Sequence, residues 1–168
     1  PRTPPSPAAA RERTGLARVE AWYADLGWTV PAFQRETWQR YLAGESGLIN
    51  SPTGSGKTLA AWLGPVIEAI DASAAAAPPG PRVPEGPRGP DGPYGPVAPP
   101  GTHAPRGPHV LWITPLRALA SDLHRHLQAA ADALGVPWRV ELRTGDTAAS
   151  ARVRQRERPP HALVTTPE

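Results

Sequence analysis

Residues 51–58 have the sequence Ser-Pro-Thr-Gly-Ser-Gly-Lys-Thr, and these residue types in this order suit the binding of phosphate groups. Gly54 and Gly56 allow backbone amides to turn inward around phosphates, and the N-terminus of the following helix adds partial positive charge. Lys57 would reach the β- and γ-phosphate oxygens, and the Thr58 hydroxyl would ligate Mg²⁺. The strict pattern has Gly in place of Ser51, so the match is imperfect. The alternative is a Gly/Ser turn that joins a strand to a helix by chance.

Lys57 is the single lysine among the 18 Lys and Arg residues of the chain. A compact ammonium group fits inside a narrow loop of backbone amides, whereas the broad and rigid guanidinium fork of arginine does not. A chain that uses arginine elsewhere therefore has lysine at the one position where arginine is expected to fail. The order of strand, loop, Gly-Lys-Thr and helix around this residue favours phosphate binding over a chance turn.

Two amphipathic helices are predicted before this loop. The first covers 11–26 and is ended by Gly27, and the second begins at Pro31 and ends near Gly44. Each has apolar residues at helical spacing, which are expected to face the core. In the first helix these residues are Leu16, Val19, Tyr23 and Leu26, and in the second they are Phe33, Trp38, Tyr41 and Leu42.

The remainder of the chain alternates between strand and helix patterns. This order predicts an α/β fold with a parallel sheet and helices on both faces. Ligands of such sheets bind at the carboxyl ends of the strands. The strand over 110–114 is expected to be buried throughout. The predicted strands are 48–49, 110–114, 138–142 and 162–165, and the predicted helices are 56–70, 116–134 and 147–158.

The helix predicted over 116–134 has the clearest apolar stripe in the chain. His124 and His126 lie on its polar side, two residues apart, and are expected to be solvated rather than to share a metal ion. The alternating arginines that follow are either solvated or in contact with a nucleic-acid backbone, and both interpretations stay open. These arginines are Arg152, Arg154, Arg156 and Arg158, and the stripe consists of Leu116, Leu119, Leu123, Leu127, Ala130 and Leu134.

Proline and glycine are concentrated in one segment. Residues 78–108 contain 12 of the 24 prolines and 7 of the 16 glycines. This composition predicts a long disordered Pro/Gly-rich insert over 72–108. The predicted organisation is then a disordered lead over 1–10, N-terminal helices over 11–46, and a phosphate-binding α/β domain over 47–168 that the insert interrupts.

The composition also excludes several kinds of protein and site. Because the chain has no cysteine, it has no disulfide, thiolate zinc site or cysteine nucleophile. No apolar run approaches the roughly 18 residues of a membrane span, so we expect a soluble, intracellular chain with no membrane partner. The net charge of +3 permits a polyanionic partner without requiring one. Because the chain lacks methionine and begins at Pro1, we expect a fragment or a trimmed product.

Five short segments, in register, resemble those of the first RecA-like motor domain of superfamily 2 helicases of the DEAD/DExH type. The similarity is greatest to the Lhr-like group, and within it to the bacterial ligase-associated DExH-box helicases. It covers essentially the whole chain apart from the lead and the insert. The segments are Phe33-Gln34 (the Q motif), 51–58 (motif I), 114–119 (motif Ia), 143–147 and 165–168 (motif Ib).

The resemblance implies an ATP site that uses Mg²⁺, with Lys57 and Thr58 as catalytic residues and the Thr58 hydroxyl as part of the magnesium site. Gln34 would hydrogen-bond the adenine edge and so favour ATP over other nucleotides. The alternative for Gln34 is a solvated helix residue. The residues implied in nucleotide binding are Phe33, Gln34, Pro52, Thr53, Gly54, Ser55, Gly56, Lys57 and Thr58.

The resemblance also implies a groove at the strand ends that holds the backbone of single-stranded or partly duplex nucleic acid, with DNA favoured. For Arg117 the alternative is an ordinary surface charge. The implied setting is DNA repair in the bacterial cytoplasm, in association with the nucleoid and with DNA ligase or nuclease partners. The groove residues are Pro115, Leu116, Arg117, Gly145, Thr166 and Pro167.

The DExH box, with which this family holds Mg²⁺ and prepares the attacking water, does not occur before Glu168. Because phosphoryl transfer depends on such groups, residues 1–168 alone are expected to bind nucleotide without hydrolysing it. Two alternatives to a helicase stay open. One is another P-loop NTPase, such as a kinase or a transporter ATPase, and the other is a truncated module that binds nucleotide or nucleic acid without catalysis.

Overall fold

The computed structural model describes residues 15–75 and 107–167. The predicted lead over 1–10 and most of the predicted insert, residues 76–106, lie outside this part of the chain. No helix in the described part combines the length and the apolar character that crossing a membrane requires. The helices are α1 (Gly15–Asp25), α2 (Ala32–Leu42), α3 (Lys57–Ala75), α4 (Arg117–Ala133) and α5 (Ala149–Glu157), and the strands are β1 (Val110–Ile113), β2 (Val140–Arg143) and β3 (Ala162–Thr165).

The three strands form one parallel sheet in the order β1-β3-β2. Ala162 of β3 lies opposite both Val110 and Val140, so the three strands start at the same level. Because all three have four residues and run in the same direction, their carboxyl ends also meet at one edge. The predicted α/β class and parallel sheet are confirmed, and the sheet brings three separate chain segments to a common edge.

The N-terminal helices α1 and α2 pack on α3 and so fix the beginning of α3. Val19 and Trp38 are fully buried together with Leu63 of α3. Gly15 approaches α3 so closely that a side chain at this position would collide with the backbone of Ile67. Burial of these large apolar side chains is the main force that holds the helices together.

Helix α4 covers the sheet and is tied to β2 by side chains. Gln128 accepts a hydrogen bond from the Val140 amide at 2.8 Å and donates one to the Trp138 carbonyl at 2.9 Å. His124 Nε2 lies 2.9 Å from the Val140 carbonyl oxygen, so the prediction of a solvated His124 was wrong. Trp138 also meets Trp62 of α3 edge-to-face at 5.6 Å, which joins the helical half of the molecule to the sheet.

The strand predicted at 48–49 does not form. Leu48 is 92% exposed, and the described strands pair only with one another. A strand exists through its hydrogen-bonded neighbour, and two apolar residues provide no pairing of their own. The prediction that 110–114 is buried throughout was also wrong, because Leu111 and Ile113 are 57% and 59% exposed while Val110 and Trp112 face the core.

Several helix faces also differ from the predicted stripes. Leu116 and Leu119 are exposed, and Ala120 is the first buried residue of α4. Helix α3 continues to Ala75, so the predicted insert boundary at residue 72 falls inside a helix. The predicted core residues Leu26, Tyr41 and Leu42 are exposed as well.

Two histidines and a tryptophan pack together at the amino end of the sheet. The rings of Trp138 and His161 are stacked at 6.1 Å, and His109 lies 5.6 Å from Trp138. His161 Nδ1 accepts a hydrogen bond from the Arg139 amide at 3.0 Å, which requires that this nitrogen carry no proton. Burial, together with His109 and Arg139, lowers the pKa of His161. The packing therefore favours the neutral ring.

This packing predicts a loss of stability in mild acid. Because the pKa of His161 in the folded protein lies below its ordinary value of 6.5, the free energy of unfolding should be constant above about pH 7.5 and decrease as the pH falls through 6.5. His161→Asn retains an acceptor for the Arg139 amide but does not titrate. This variant should flatten that part of the pH dependence, measured by urea unfolding between about pH 5 and 8.

The control is His126→Asn, which removes an exposed histidine of α4 and should retain the wild-type pH dependence. An unchanged pH dependence in His161→Asn would show that this histidine is not responsible.

Candidate functional site

The loop that precedes α3 turns at two glycines. Gly54 and Gly56 have φ angles of +80° and +90°, in the left-handed region that favours glycine. Helix α3 begins at Lys57, directly after the loop, so its free amide groups point toward the loop. Positive potential from the helix N-terminus therefore falls on the space that the loop surrounds.

Lys57 lies across the beginning of this loop. Its ammonium nitrogen donates hydrogen bonds to the carbonyl oxygens of Ser51 at 2.6 Å and Pro52 at 2.8 Å. Ser51 Oγ and Ser55 Oγ are 2.7 Å apart and hydrogen-bonded, which closes the loop from the other side. Ser51, where the sequence departs from the strict pattern, thus cross-links the loop through its hydroxyl.

Gln34 connects the N-terminal helices to the loop. It is only 2% exposed, so the alternative of a solvated helix residue is wrong. Its Oε1 accepts a hydrogen bond from the Tyr23 hydroxyl at 2.6 Å, and its Nε2 donates to the Gly56 carbonyl at 3.0 Å. Burial raises the pKa of Tyr23 to about 12, so its hydroxyl keeps the proton that it donates. Phe33, the preceding residue, is partly buried.

An apolar cavity of about 390 Å³ lies beside the first turn of α3. Trp28 is 54% exposed at this place, so it presents an aromatic surface close to Thr58. Core packing is the first explanation that the sequence offers for the six tryptophans, with Trp28 and Trp62 the least certain, and of these two Trp62 is buried whereas Trp28 is exposed. The cavity is lined by Trp22, Trp28, Thr58, Leu59, His126, Ala129 and Ala130.

The predicted groove residues all follow the carboxyl ends of the three parallel strands. The Thr114 amide donates a hydrogen bond to the Thr165 carbonyl at 3.0 Å, which extends the pairing of β1 and β3 to this edge. Thr166 is buried, and the other groove residues are exposed. The exposed ones are Pro115, Leu116, Arg117, Gly145 and Pro167.

Arg117 joins two of these segments through an ion pair. Its Nη1 lies 3.0 and 2.9 Å from the two carboxylate oxygens of Asp146, and the side chains are about half and three-quarters exposed. A cleft of about 360 Å³ opens beside this pair. Sequence reasoning identified Arg117 but not Asp146, whose contact with it spans 29 residues. The cleft is lined by Arg117, Ala118, Ser121, Leu142, Thr144, Asp146 and Thr147.

Arg152 holds the turn between β2 and α5. Its guanidinium donates to the carbonyl oxygens of Thr147 at 2.9 Å, Gly145 at 2.7 Å and Thr144 at 3.3 Å. Arg152, one of the four alternating arginines, is therefore hydrogen-bonded to the backbone and not simply solvated. It fixes the turn that carries Gly145 and Asp146 at the sheet edge.

The chain matches one family model and is similar to several known proteins. The family model described as DEAD/DEAH box helicase matches residues 31–168. An ATP-dependent helicase Lhr-Core of Methanocaldococcus jannaschii is 32% identical over 160 residues, which are 89% of this chain and 16% of that protein. The Lhr helicase/uracil glycosylase of Escherichia coli is 29% identical, over 98% of this chain and 10% of that protein.

Two solved structures are similar in fold. Mycobacterium smegmatis helicase Lhr bound to ssDNA and AMP-PNP has a TM-score of 0.59 and 29% identity, over 90% of this chain and 17% of that one. The DUF1998 helicase MrfA bound to DNA and AMPPNP has a TM-score of 0.61 over 99% of this chain, and at 21% identity it shows the fold alone. The chain spans about a sixth of the length of the M. jannaschii relative, whose matched share is 16%.

The contact between Gln34 and Gly56 predicts a difference between two glycine variants. Gly54→Ala and Gly56→Ala both place alanine at a positive φ, and each should cost about 1 kcal/mol in unfolding free energy. A Cβ at position 54 meets nothing nearby, whereas a Cβ at position 56 would collide with Gln34 Nε2. Gly56→Ala should therefore cost at least about 1 kcal/mol more than Gly54→Ala, measured by urea unfolding.

The variant Gln34→Ala supplies a further control, because it removes the group with which the new Cβ collides. In a Gln34→Ala background the two glycine variants should become equivalent. Equal destabilisation of the two variants in the wild-type background would contradict the described contact.

Proposed function

The chain belongs to the DEAD/DEAH box helicase family, and on this premise we propose that it contributes an ATP-binding part of the first RecA-like motor domain of a nucleic-acid helicase. The observation that carries this proposal is the Lys57 ammonium, held against the carbonyls of Ser51 and Pro52 at the start of α3. The expected membership in the Lhr-like group is confirmed by the matches to Lhr and Lhr-Core proteins. The narrower likeness to ligase-associated helicases stays a prediction.

The residues of the loop fit a nucleoside triphosphate. Two left-handed glycines and the N-terminus of α3 provide amide donors, and Lys57 provides one compact positive charge. ATP supplies the phosphoryl group whose transfer to water powers movement along nucleic acid. In the proposed site the triphosphate is held by residues Pro52, Thr53, Gly54, Ser55, Gly56, Lys57 and Thr58.

Mg²⁺ would be held by the Thr58 hydroxyl together with the phosphates. In the described part of the chain, no group of three or more His, Asp or Glu side chains is placed to hold a metal ion. The bound nucleotide would thus supply much of the coordination, as is usual for Mg²⁺. We also propose that residues 1–168 by themselves bind ATP without hydrolysing it.

The adenine base would lie near Trp28, Phe33 and Gln34. Trp28 offers an exposed aromatic surface beside Thr58, and aromatic surfaces suit the flat face of a purine. Gln34 already bonds to Tyr23 and Gly56, but a side-chain amide has two N–H groups and two acceptor lone pairs. One N–H group and one lone pair therefore remain, and because Gln34 is 2% exposed the adenine edge would reach them only after this side chain or its neighbours move.

The strand edge is proposed to hold the sugar-phosphate backbone of single-stranded or partly duplex DNA. Exposed residues at the ends of three adjacent strands form a surface on which a strand can lie without its bases being read. DNA is favoured over RNA because the M. smegmatis Lhr structure is bound to ssDNA. A role in DNA repair, ligase or nuclease partners, and a nucleoid-associated cytoplasmic location are parts of this proposal that rest on family resemblance.

The proposal predicts that Lys57 cannot be replaced by another cation. Lys57→Ala removes the positive charge, and Lys57→Arg replaces it with a guanidinium that does not fit the loop. Each variant should therefore weaken the binding of a fluorescent ATP analogue by at least about tenfold. The control is Arg125→Ala, which also removes one positive charge, from the exposed face of α4. Wild-type affinity in Lys57→Arg would contradict the proposed site.

A second prediction concerns Asp146, which neutralises Arg117 in the absence of a nucleic acid. Asp146→Asn removes the negative charge that pairs with Arg117 at this edge and should tighten binding of a fluorescent oligo-dT by about threefold. The plot of log affinity against log salt concentration should steepen by about 0.7, the value for one additional phosphate contact on a single strand. Fluorescence anisotropy at several salt concentrations measures both quantities.

The matched control is Asp122→Asn, which removes a carboxylate paired with Arg125 on the same helix. The gain in Asp146→Asn should exceed that in Asp122→Asn and should disappear when Arg117→Ala is added. An equal gain in the two aspartate variants would indicate a general charge effect and refute the role of this ion pair.

A further inference from the structure

We propose that Tyr23, in the first helix, is a positioning residue for the phosphate loop, acting through Gln34 on Gly56. The proposal rests on the nucleotide-binding function proposed above and adds to it a residue outside the matched motifs. The contacts are continuous: Tyr23 hydroxyl to Gln34 Oε1 at 2.6 Å, then Gln34 Nε2 to the Gly56 carbonyl at 3.0 Å. They connect three elements that the sequence separates by 11 and 22 residues.

Tyr23 holds the Gln34 amide in the orientation that the Gly56 carbonyl requires. The two ends of an amide have nearly the same shape, but one donates hydrogen bonds and the other accepts them. The Gly56 carbonyl can only accept, so Nε2 must face it and Oε1 must face Tyr23. In the reversed orientation Gln34 Oε1 would face the Gly56 carbonyl oxygen, and two acceptors with no proton between them repel each other. A tyrosine hydroxyl that donates to Oε1 therefore stabilises the one orientation that holds the loop.

The bond to Gly56 acts at the junction between the loop and α3. The Gly56 carbonyl also accepts the hydrogen bond of the Ala60 amide at 3.0 Å, the first backbone bond of the helix. Lys57, the next residue, carries the ammonium group of the proposed site. A shift of the Gly56 carbonyl would thus move the helix N-terminus and Lys57 together, away from the positions that a triphosphate requires.

The surroundings of Tyr23 make this contact rigid. Tyr23 and Gln34 are each 2% exposed, so water cannot replace a lost partner at this place. Three tryptophan rings hold the tyrosine ring from the side. They are Trp22 at 5.5 Å, Trp28 at 6.0 Å and Trp38 at 6.0 Å, all in edge-to-face contact.

The test compares Tyr23→Phe with Tyr41→Phe in the full chain. Tyr41 is a matched control because its hydroxyl also joins two helices, through Glu68 at 2.9 Å, without contact to the loop. The probes are ATP and inorganic tripolyphosphate, measured by calorimetry, with urea unfolding to confirm that each variant is folded. Tripolyphosphate has no base, so it reports on the loop alone.

We expect Tyr23→Phe to weaken tripolyphosphate and ATP by the same factor, about fivefold, as for the loss of one buried hydrogen bond. Tyr41→Phe should leave both affinities unchanged. Gln34→Met should weaken tripolyphosphate at least as strongly, and adding Tyr23→Phe to it should have no further effect, because the contact is already broken. This last comparison holds even if one of the variants is less stable.

Three outcomes would overturn the proposal. Wild-type affinity of Tyr23→Phe for tripolyphosphate would show that Tyr23 does not position the loop. Loss of ATP affinity alone would show that Tyr23 acts on the base instead. If the wild-type protein binds neither probe, the proposed nucleotide site itself is refuted. The two earlier outcomes, in which the wild-type protein binds, refute only the role of Tyr23.

Discussion

The conformation of the loop around Lys57 is the constraint on which the rest of this structure depends. The Lys57 ammonium lies 2.6 and 2.8 Å from two backbone carbonyls at the start of a helix, and the chain reaches that position through two left-handed glycines. The helices α1 and α2 add a large buried surface on one side of α3 and deliver the Gln34 amide to Gly56. The preceding helices thus do more than bury apolar area: they fix the junction from which Lys57 projects.

The sheet brings chain segments that are distant in sequence to one edge. Equal length and common direction of three parallel strands place Thr114, Thr144 and Thr166 at the same level. Charged side chains then shape this edge: Arg117 pairs with Asp146, and Arg152 holds the carbonyls of the turn between β2 and α5. The contact between Trp62 and Trp138 joins this part to α3, so the loop and the edge belong to one packed structure.

The sequence was sufficient to predict the α/β class and the parallel sheet, and it singled out Gly54 and Gly56 as the points where the loop before α3 turns, because each follows from local spacing. It was insufficient wherever a neighbour decides the outcome. The strand at 48–49 fails for lack of a pairing partner among the described strands, and Leu116 and Leu119 are exposed although they belong to the apolar stripe. The contacts of Tyr23 with Gln34 and of Arg117 with Asp146 cross 11 and 29 residues, and no periodic pattern reports such pairs.

In the proposed function, the loop over 51–58 receives a triphosphate through Lys57. The most direct measurement is a crystal structure of this chain soaked with a non-hydrolysable ATP analogue. We expect density for the phosphates inside the loop, with the Lys57 ammonium moved from the Ser51 and Pro52 carbonyls onto phosphate oxygens. Density for the analogue elsewhere, with the loop empty and Lys57 still on those carbonyls, would contradict it.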